Sequence, residues 1–383
     1  SLPRRRRRLL LPNSVDVLHG AGCLYTYSSR LPVTISRGLV RSDGSVILVS
    51  VSRSLSEMAQ MKKGTIHSNP HFDAEAAATS LHKAMKGLGT DEDSIIQVVT
   101  SHDSFQRAAI AEKYEAMYGR DLIGDLKSEI SGKFCTTVKA LFTPPRYYMA
   151  KCVYKAMKGI GTDETALTEI LVGRSNFEME KLKDAYKEKY ESDLVEDIKS
   201  EVGGTYERIL CALLAGGRDE HAPANFHQAQ QDAQALFEAG PSQMGTDEST
   251  FISILNTRSY AQLKETFAAY NRIAEHDIEE DLKSEFQGND LEALLGIVRA
   301  AKDTVSYFAK LLNKAVKGCG TDDNALIRIL VSRSEAVDGA FQVDMKEIKA
   351  RYEAEYGVSL ADEISSETSG DFEQILLKLI GGA

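Results

Sequence analysis

The stretch MKGLGTDED, Met85–Asp93, sets two glycines directly before a threonine and a run of acids. Glycine accepts backbone angles that other residues avoid, so the pair ends a helix. The threonine reads as the N-cap of the next helix, and acids in a first turn suit the helix dipole. The stretch is therefore a joint between two helices, and it recurs. MKGIGTDET stands at Met157–Thr165, PSQMGTDES at Pro241–Ser249 and VKGCGTDDN at Val316–Asn324. Four copies in 383 residues define a repeat protein.

Each copy sits in the same grammar. An amphipathic stretch precedes it, as in Ala76–Met85, where Leu81 and Met85 share a face. Apolar residues at helical spacing follow it: Ile95, Ile96, Val98 and Val99 in the first copy, Leu167, Ile170 and Leu171 in the second. FQRAAIAEKYEAMYGRDL at Phe105–Leu122 then matches MEKLKDAYKEKYESDL at Met179–Leu194. A short acidic helix, DLIGDLKSEISG at Asp121–Gly132, matches DLVEDIKSEVGG at Asp193–Gly204, and an apolar run closes each unit. Alternation of β-branched residues is nearly absent, so the fold class is all-α, with units of about five helices sharing one core.

Composition and charge narrow the function. No apolar run approaches the roughly 20 residues that span a bilayer. The basic start at Arg4–Arg8 meets Pro12, Asn13 and Asp16 too soon for a signal peptide. Five cysteines without C-x-x-C pairing suit a reduced, cytoplasmic protein rather than a zinc site or disulfide framework. Residues 1–53 hold nine arginines against Asp16 and Asp43, a net of +7, which leaves −17 on the remainder of a −10 chain. So acidic a body lacks the basic surface that nucleic acid requires, and it repels anionic lipid. No nucleophile–base pattern, phosphate loop or metal-hydrolase motif points to an enzyme.

A second position explains the glycine loops. Glu129 lies forty residues after Gly89, Glu201 forty after Gly161 and Glu285 forty after Gly245, each within K-S-E. In the fourth copy Glu367 follows Gly320 by 47, the extra seven falling near Ala336–Gln342. A loop of turned carbonyls met by one distant carboxylate suits calcium, a hard cation that takes six to eight oxygens. Carbonyls and one bidentate glutamate leave positions open for water or a lipid phosphate. Calcium would then join an acidic protein to an acidic membrane. One such loop alone reads better as a capped helix joint; four copies, three with an acid at the same distance, favour the cation. No segment fits an EF-hand loop.

With these residues in place the chain resembles the annexins. KAMKGLGTDE at Lys83–Glu92 and DLKSEISGKF at Asp121–Phe134 lie close to that family's pattern. The resemblance implies four stacked five-helix repeats in a curved disk, at 72–142, 144–215, 226–300 and 303–381. It implies calcium loops on the convex face and reversible binding to acidic phospholipid such as phosphatidylserine. Met58–Asp73 resembles a short amino-terminal arm, placed at 58–71, so residues 1–57 read as a disordered extension outside the match. Arg4–Arg8 offers the alternative of a basic tether.

Carried over by position, several calcium ions would be held by matching residues. The first set is the carbonyls of Met85, Gly87 and Gly89 with Glu129; the second is Met157, Gly159, Gly161 and Glu201. The third loop is one residue longer, which implies Gly240, Gln243 and Gly245 with Glu285. The fourth set is Val316, Gly318, Gly320 and Glu367. Met244 sits at the tip of the third loop, where the family often exposes an apolar side chain to the membrane. The family's central hydrophilic pore is matched by Glu169, Arg174 and Arg328, but Met149 replaces an aspartate there, which counts against ion conduction. The family's arginine after the second helix is matched at Arg174, Arg258 and Arg333, whereas His102 takes the first place, as a surface or packing residue rather than a switch. The resulting expectation is a cytoplasmic protein, peripheral on membranes when calcium rises, with ion conductance as the rival reading.

Overall fold

The computed structural model describes residues 15–19, 23–27, 34–40, 46–52, 63–87, 89–242, 244–318, 320–335 and 344–382. The chain divides into two compact units, Ser1–Lys62 and Lys63–Ala383.

In the first unit β1 (Val15–His19), β2 (Cys23–Tyr27), β3 (Thr34–Val40) and β4 (Val46–Ser52) form an antiparallel meander in chain order. In its longest pairing Thr34 stands opposite Ser52 and Val40 opposite Val46. This departs from the expectation of a disordered extension. Thr34–Val40 and Val46–Ser52 are dense in Val, Ile and Thr, residues that fit a pleated surface, and that local preference prevails over the arginine-rich composition around it. Arg4–Arg8 lies outside the described residues.

The second unit is all-α among its described residues. Repeat 1 comprises α1 (Ala74–Ala84), α2 (Glu92–Thr100), α3 (Ser104–Tyr118), α4 (Leu122–Glu129) and α5 (Gly132–Phe142). Repeat 2 comprises α6 (Pro145–Met157), α7 (Glu164–Leu171), α8 (Asn176–Tyr190), α9 (Leu194–Glu201) and α10 (Gly204–Ala215). Repeat 3 follows as α11 (Phe226–Ala239), α12 (Glu248–Thr257), α13 (Tyr260–Ala274), α14 (Ile278–Glu285) and α15 (Gly288–Lys302). Repeat 4 is α16 (Thr304–Lys317), α17 (Asp323–Ser334), α18 (Met345–Tyr356), α19 (Leu360–Glu367) and α20 (Gly370–Leu379).

One apolar core runs through all four repeats. Repeat 3 packs α15 against α7 and α10 of repeat 2, and α20 returns to pack on α2 and α5 of repeat 1. The array thus closes on itself rather than extending as an open solenoid. Residues 63–66 strap the closing seam: the Thr65 and Ile66 amides donate to the Ser334 carbonyl at 2.9 and 3.1 Å. A buried ion pair crosses the same seam, Arg107 of α3 to Glu335 at 2.5 Å.

Arg107 also resolves the missing arginine of repeat 1. Its guanidinium reaches the carbonyls of Leu141, Val99 and His102, so a neighbouring helix supplies the charge that the loop itself lacks. His102 is buried, with Nδ1 2.8 Å from the Val98 carbonyl and its ring edge-on to Phe72, a packing role as expected.

The fourth helix of each repeat ends on the distant glutamate, so whatever fixes that helix also places the acid. A tyrosine of the third helix pins it in three repeats. Tyr114 donates to Asp125 at 2.8 Å, Tyr186 to Asp197 at 2.7 Å and Tyr270 to Asp281 at 2.6 Å. Burial, then the neighbouring carboxylate, pushes each of these phenols well above its ordinary range. Repeat 4 uses a different fastening: Glu363 replaces the aspartate and pairs with Lys317 of α16 at 2.7 Å.

Candidate calcium loops

The loop between the first and second helices closes in the same way four times. Asp91 donates its amide to the Ala84 carbonyl at 2.9 Å, Asp163 to Ala156 at 2.7 Å, Asp247 to Ala239 at 2.7 Å and Asp322 to Ala315 at 2.8 Å. These aspartates, not the threonines, are the N-caps. Asp91 accepts from the Ser94 amide at 3.0 Å, Asp163 from Ala166 at 2.9 Å and Asp322 from Ala325 at 3.0 Å. Hydrogen bonds from Ser94 and Thr250 hold the Asp91 and Asp247 carboxyls below the usual range, so the caps stay ionised. The expectation of a threonine cap is corrected. A carboxylate one residue further on reaches the first-turn amides, which frees the threonine hydroxyl.

That hydroxyl turns to the distant acid. Thr162 Oγ1 donates to Glu201 at 3.5 Å, Thr246 to Glu285 at 2.5 Å and Thr321 to Glu367 at 3.4 Å. Three of the four glutamates therefore lie at the rim of the loop they were paired with by spacing. Glu129 ends α4 exposed, and its contact with the first loop is not among these bonds. Ala336–Gln342 lies outside the described residues, but both its flanks are anchored. Glu335 meets Arg107, and Asp344 accepts from Arg333 Nε at 2.7 Å.

The carbonyl donors divide by position. Met157 and Val316 are buried at the ends of α6 and α16, Met85 is half-buried, and Gly87, Gly89, Gly159, Gly161, Gly245, Gly318 and Gly320 are exposed. Gly159 and Gly161 have φ of 132° and 84°, conformations that turn successive carbonyls in ways an L side chain resists. In the third loop Gly240 is buried: a Cβ there would stand 3.3 Å from Glu285 Cγ, so the acid packs directly on that glycine. A Cβ on Gly318 would stand 3.3 Å from the Gly320 carbonyl oxygen, which places two predicted donors of the fourth loop side by side. Gln243 lies outside the described residues. No group of three or more His, Cys, Asp or Glu side chains converges on one point among the described residues. The donor set on offer is carbonyl oxygen with a single carboxylate, the chemistry of a hard cation rather than of zinc.

Two loop tips carry apolar side chains with nothing to pack on. Met244 is 105% exposed, and Ile160 is 109% exposed. Ile160 was missed in the sequence. Its signal was the middle position of G-x-G, occupied by Leu88, Ile160 and Cys319 in three copies.

The expected pore residues separate into two groups. Glu169 of α7 and Arg328 of α17 form a buried bidentate pair at 2.8 and 2.6 Å that joins repeats 2 and 4. Burial pushes the Glu169 carboxyl up while Arg328 pulls it down. Arg174 donates to the Ile170 carbonyl at 3.1 Å and to Glu178 at 3.3 Å, both in its own repeat. Met149 is buried.

Four five-helix repeats, each with a glycine loop and a short helix that ends on a glutamate, and three of those glutamates at the threonine of their own loop, define the class of the fold. The Annexin family profile matches residues 75–141, 148–213, 231–297 and 307–379, and the chain belongs to the annexin family. It is 43% identical over 324 residues to human annexin A5, with 85% of this chain and 99% of the relative covered. Human annexin A4 is 43% identical over 321 residues, covering 84% and 98%. Among solved structures, chicken annexin V in complex with Zn2+ superposes with a TM-score of 0.79 at 41% identity, covering 84% and 99%. Calcium-bound annexin (Sm)1 superposes with a TM-score of 0.72 at 33% identity, covering 83% and 93%.

Proposed function

We propose that this annexin binds acidic phospholipid membranes through several calcium ions, each held by one loop and one glutamate. The observation that carries this reading is the convergence of Glu201, Glu285 and Glu367 on Thr162, Thr246 and Thr321. Sequence separations of 39 and 46 residues are closed there, and Glu201 and Glu367 remain exposed at the loops they reach. The carbonyls of Met85, Gly87, Gly89, Met157, Gly159, Gly161, Gly240, Gln243, Gly245, Val316, Gly318 and Gly320 would complete the four sites with Glu129. Bound calcium supplies positive charge that a lipid phosphate can share. The acidic body then becomes an asset, because without calcium it keeps the protein off the membrane. Phosphatidylserine fits as the lipid, since it adds a carboxylate to the phosphate. Binding through several weak loops at once gives avidity beyond that of any one. Among the described residues no helix is long and apolar enough to cross a membrane.

The full chain should sediment with phosphatidylserine vesicles in calcium and return to the supernatant on chelation. Equal sedimentation in both conditions would sink the bridging mechanism.

Ile160 and Met244 add an apolar component at the points that would touch the bilayer first. Fully burying such a side chain is worth about 1.5–3 kcal/mol. Replacing both with asparagine should weaken vesicle affinity by about tenfold or more while leaving the calcium requirement in place. Unchanged affinity by flotation or surface resonance would show that both tips stay in water.

A further inference from the structure

A cavity of about 370 Å³ opens between α5, α6, α7 and α17, and its wall is basic although the body of the chain is acidic. Lys139 reaches it from α5, and Lys151 and Lys155 reach it from α6. Neighbouring cations have acidic partners: Lys133 pairs with Asp323 at 3.3 Å, and Arg328 is neutralised by Glu169. Lys139, Lys151 and Lys155 form no ion pair among the described residues. Lys151 and Lys155 are four apart on one helix, an arrangement of like charges that destabilises it. Burial, followed by Lys155 and Lys139, holds the Lys151 ammonium below the usual lysine range. The one carboxylate in the wall, Asp163, is occupied as the cap of α7. Packing explains none of this, because a fold gains nothing from three uncompensated cations around a hollow.

The position of the cavity is equally specific. Asp163 follows the second loop directly, and Asn324, also in the wall, lies in the first turn of α17 just after the fourth loop. The cavity therefore borders the loop-bearing ends of α7 and α17. Its volume is that of a small-molecule site. Lysine binds phosphate as a point charge, and three lysines converging call for several phosphates close together.

We propose that this crevice is a calcium-independent site for a polyanion with clustered phosphates, the chemistry of a multiply phosphorylated inositol headgroup, free or on a lipid. It is a second anion site, distinct from the calcium loops. Calorimetry in a chelator with inositol trisphosphate should show binding by the full chain that weakens steeply with salt. K139Q/K151Q/K155Q should lose at least tenfold in affinity, whereas K113Q/K181Q/K264Q, which removes equal charge elsewhere, should bind as the parent does. Lys155→Gln alone, at an exposed position, should already weaken binding and guards against misfolding of the triple variant. Phosphatidylcholine vesicles with phosphatidylinositol bisphosphate locate the ligand. Binding in chelator that trisphosphate displaces marks a membrane headgroup; binding of trisphosphate alone marks a soluble one. The proposal is overturned if neither probe binds in chelator, or if both triple variants lose affinity alike. The K139Q/K151Q/K155Q variant should still sediment with phosphatidylserine vesicles in calcium, so the two sites fail separately.

Discussion

Substituting glutamine for Glu129, Glu201, Glu285 and Glu367 together is expected to abolish calcium-dependent sedimentation with phosphatidylserine vesicles. Each change keeps the side chain's shape but removes its charge and replaces one of its two oxygens by an amide nitrogen that repels a cation. Calcium affinity is tuned by ligand charge, and each site here has a single protein carboxylate, so about tenfold or more should be lost per loop. Because the loops act together on one surface, these losses multiply and the total exceeds roughly a thousandfold. The fold should survive. Glu129, Glu201 and Glu367 are exposed, and three of the four acids touch the body through a threonine hydroxyl that an amide oxygen also accepts. Circular dichroism should therefore match the parent. A collapse of the helical signal would make these acids structural, and parent-like sedimentation would remove them from the site. Of the single changes, Glu285→Gln should cost the most stability, because that side chain is half-buried against Gly240.

Much of this was legible in the sequence, for a physical reason. A repeat multiplies every weak signal, so glycine loops and K-S-E acids that mean little once become a fold and a site when they recur in register. What failed depended on choices between close competitors. Thr90, Thr162, Thr246 and Thr321 and the aspartates that come after them are all good caps, and sequence alone does not say which side chain wins. The carboxylate won at each loop, and at three of them the freed hydroxyl meets the distant acid. Ring closure was invisible because α20 meets α2 across almost the whole chain, beyond any local periodicity. The strands Val15–His19 to Val46–Ser52 were overlooked beside a run of arginines, although their own β-branched density was in plain view. Ile160 was hidden because hydrophobic periodicity marks what is buried and is silent about an apolar residue at a loop tip.

The other large effect should come from Glu335→Ala. Glu335 immediately precedes the seven-residue excess of repeat 4, and its carboxylate does two things at the seam between repeats 1 and 4. One oxygen accepts from Arg107 and the other from the Ser104 amide at the start of α3. The Arg107 and Glu335 side chains are only 2% and 5% exposed. Removing the acid strands a guanidinium where water cannot reach it, and breaking a buried pair in this way costs about 3–5 kcal/mol. The three carbonyls around Arg107 soften that loss without replacing the negative charge. Denaturant unfolding should lose about that much, and exchange of the Thr65 and Ile66 amides should accelerate, since their acceptor Ser334 adjoins the substituted residue. Arg107→Met with Glu335→Leu should recover most of the stability, because an apolar pair of similar volume incurs no charge desolvation. A loss below about 1 kcal/mol for Glu335→Ala would mean that the seam is held by the apolar contacts of α20 on α2 and α5, with the ion pair incidental.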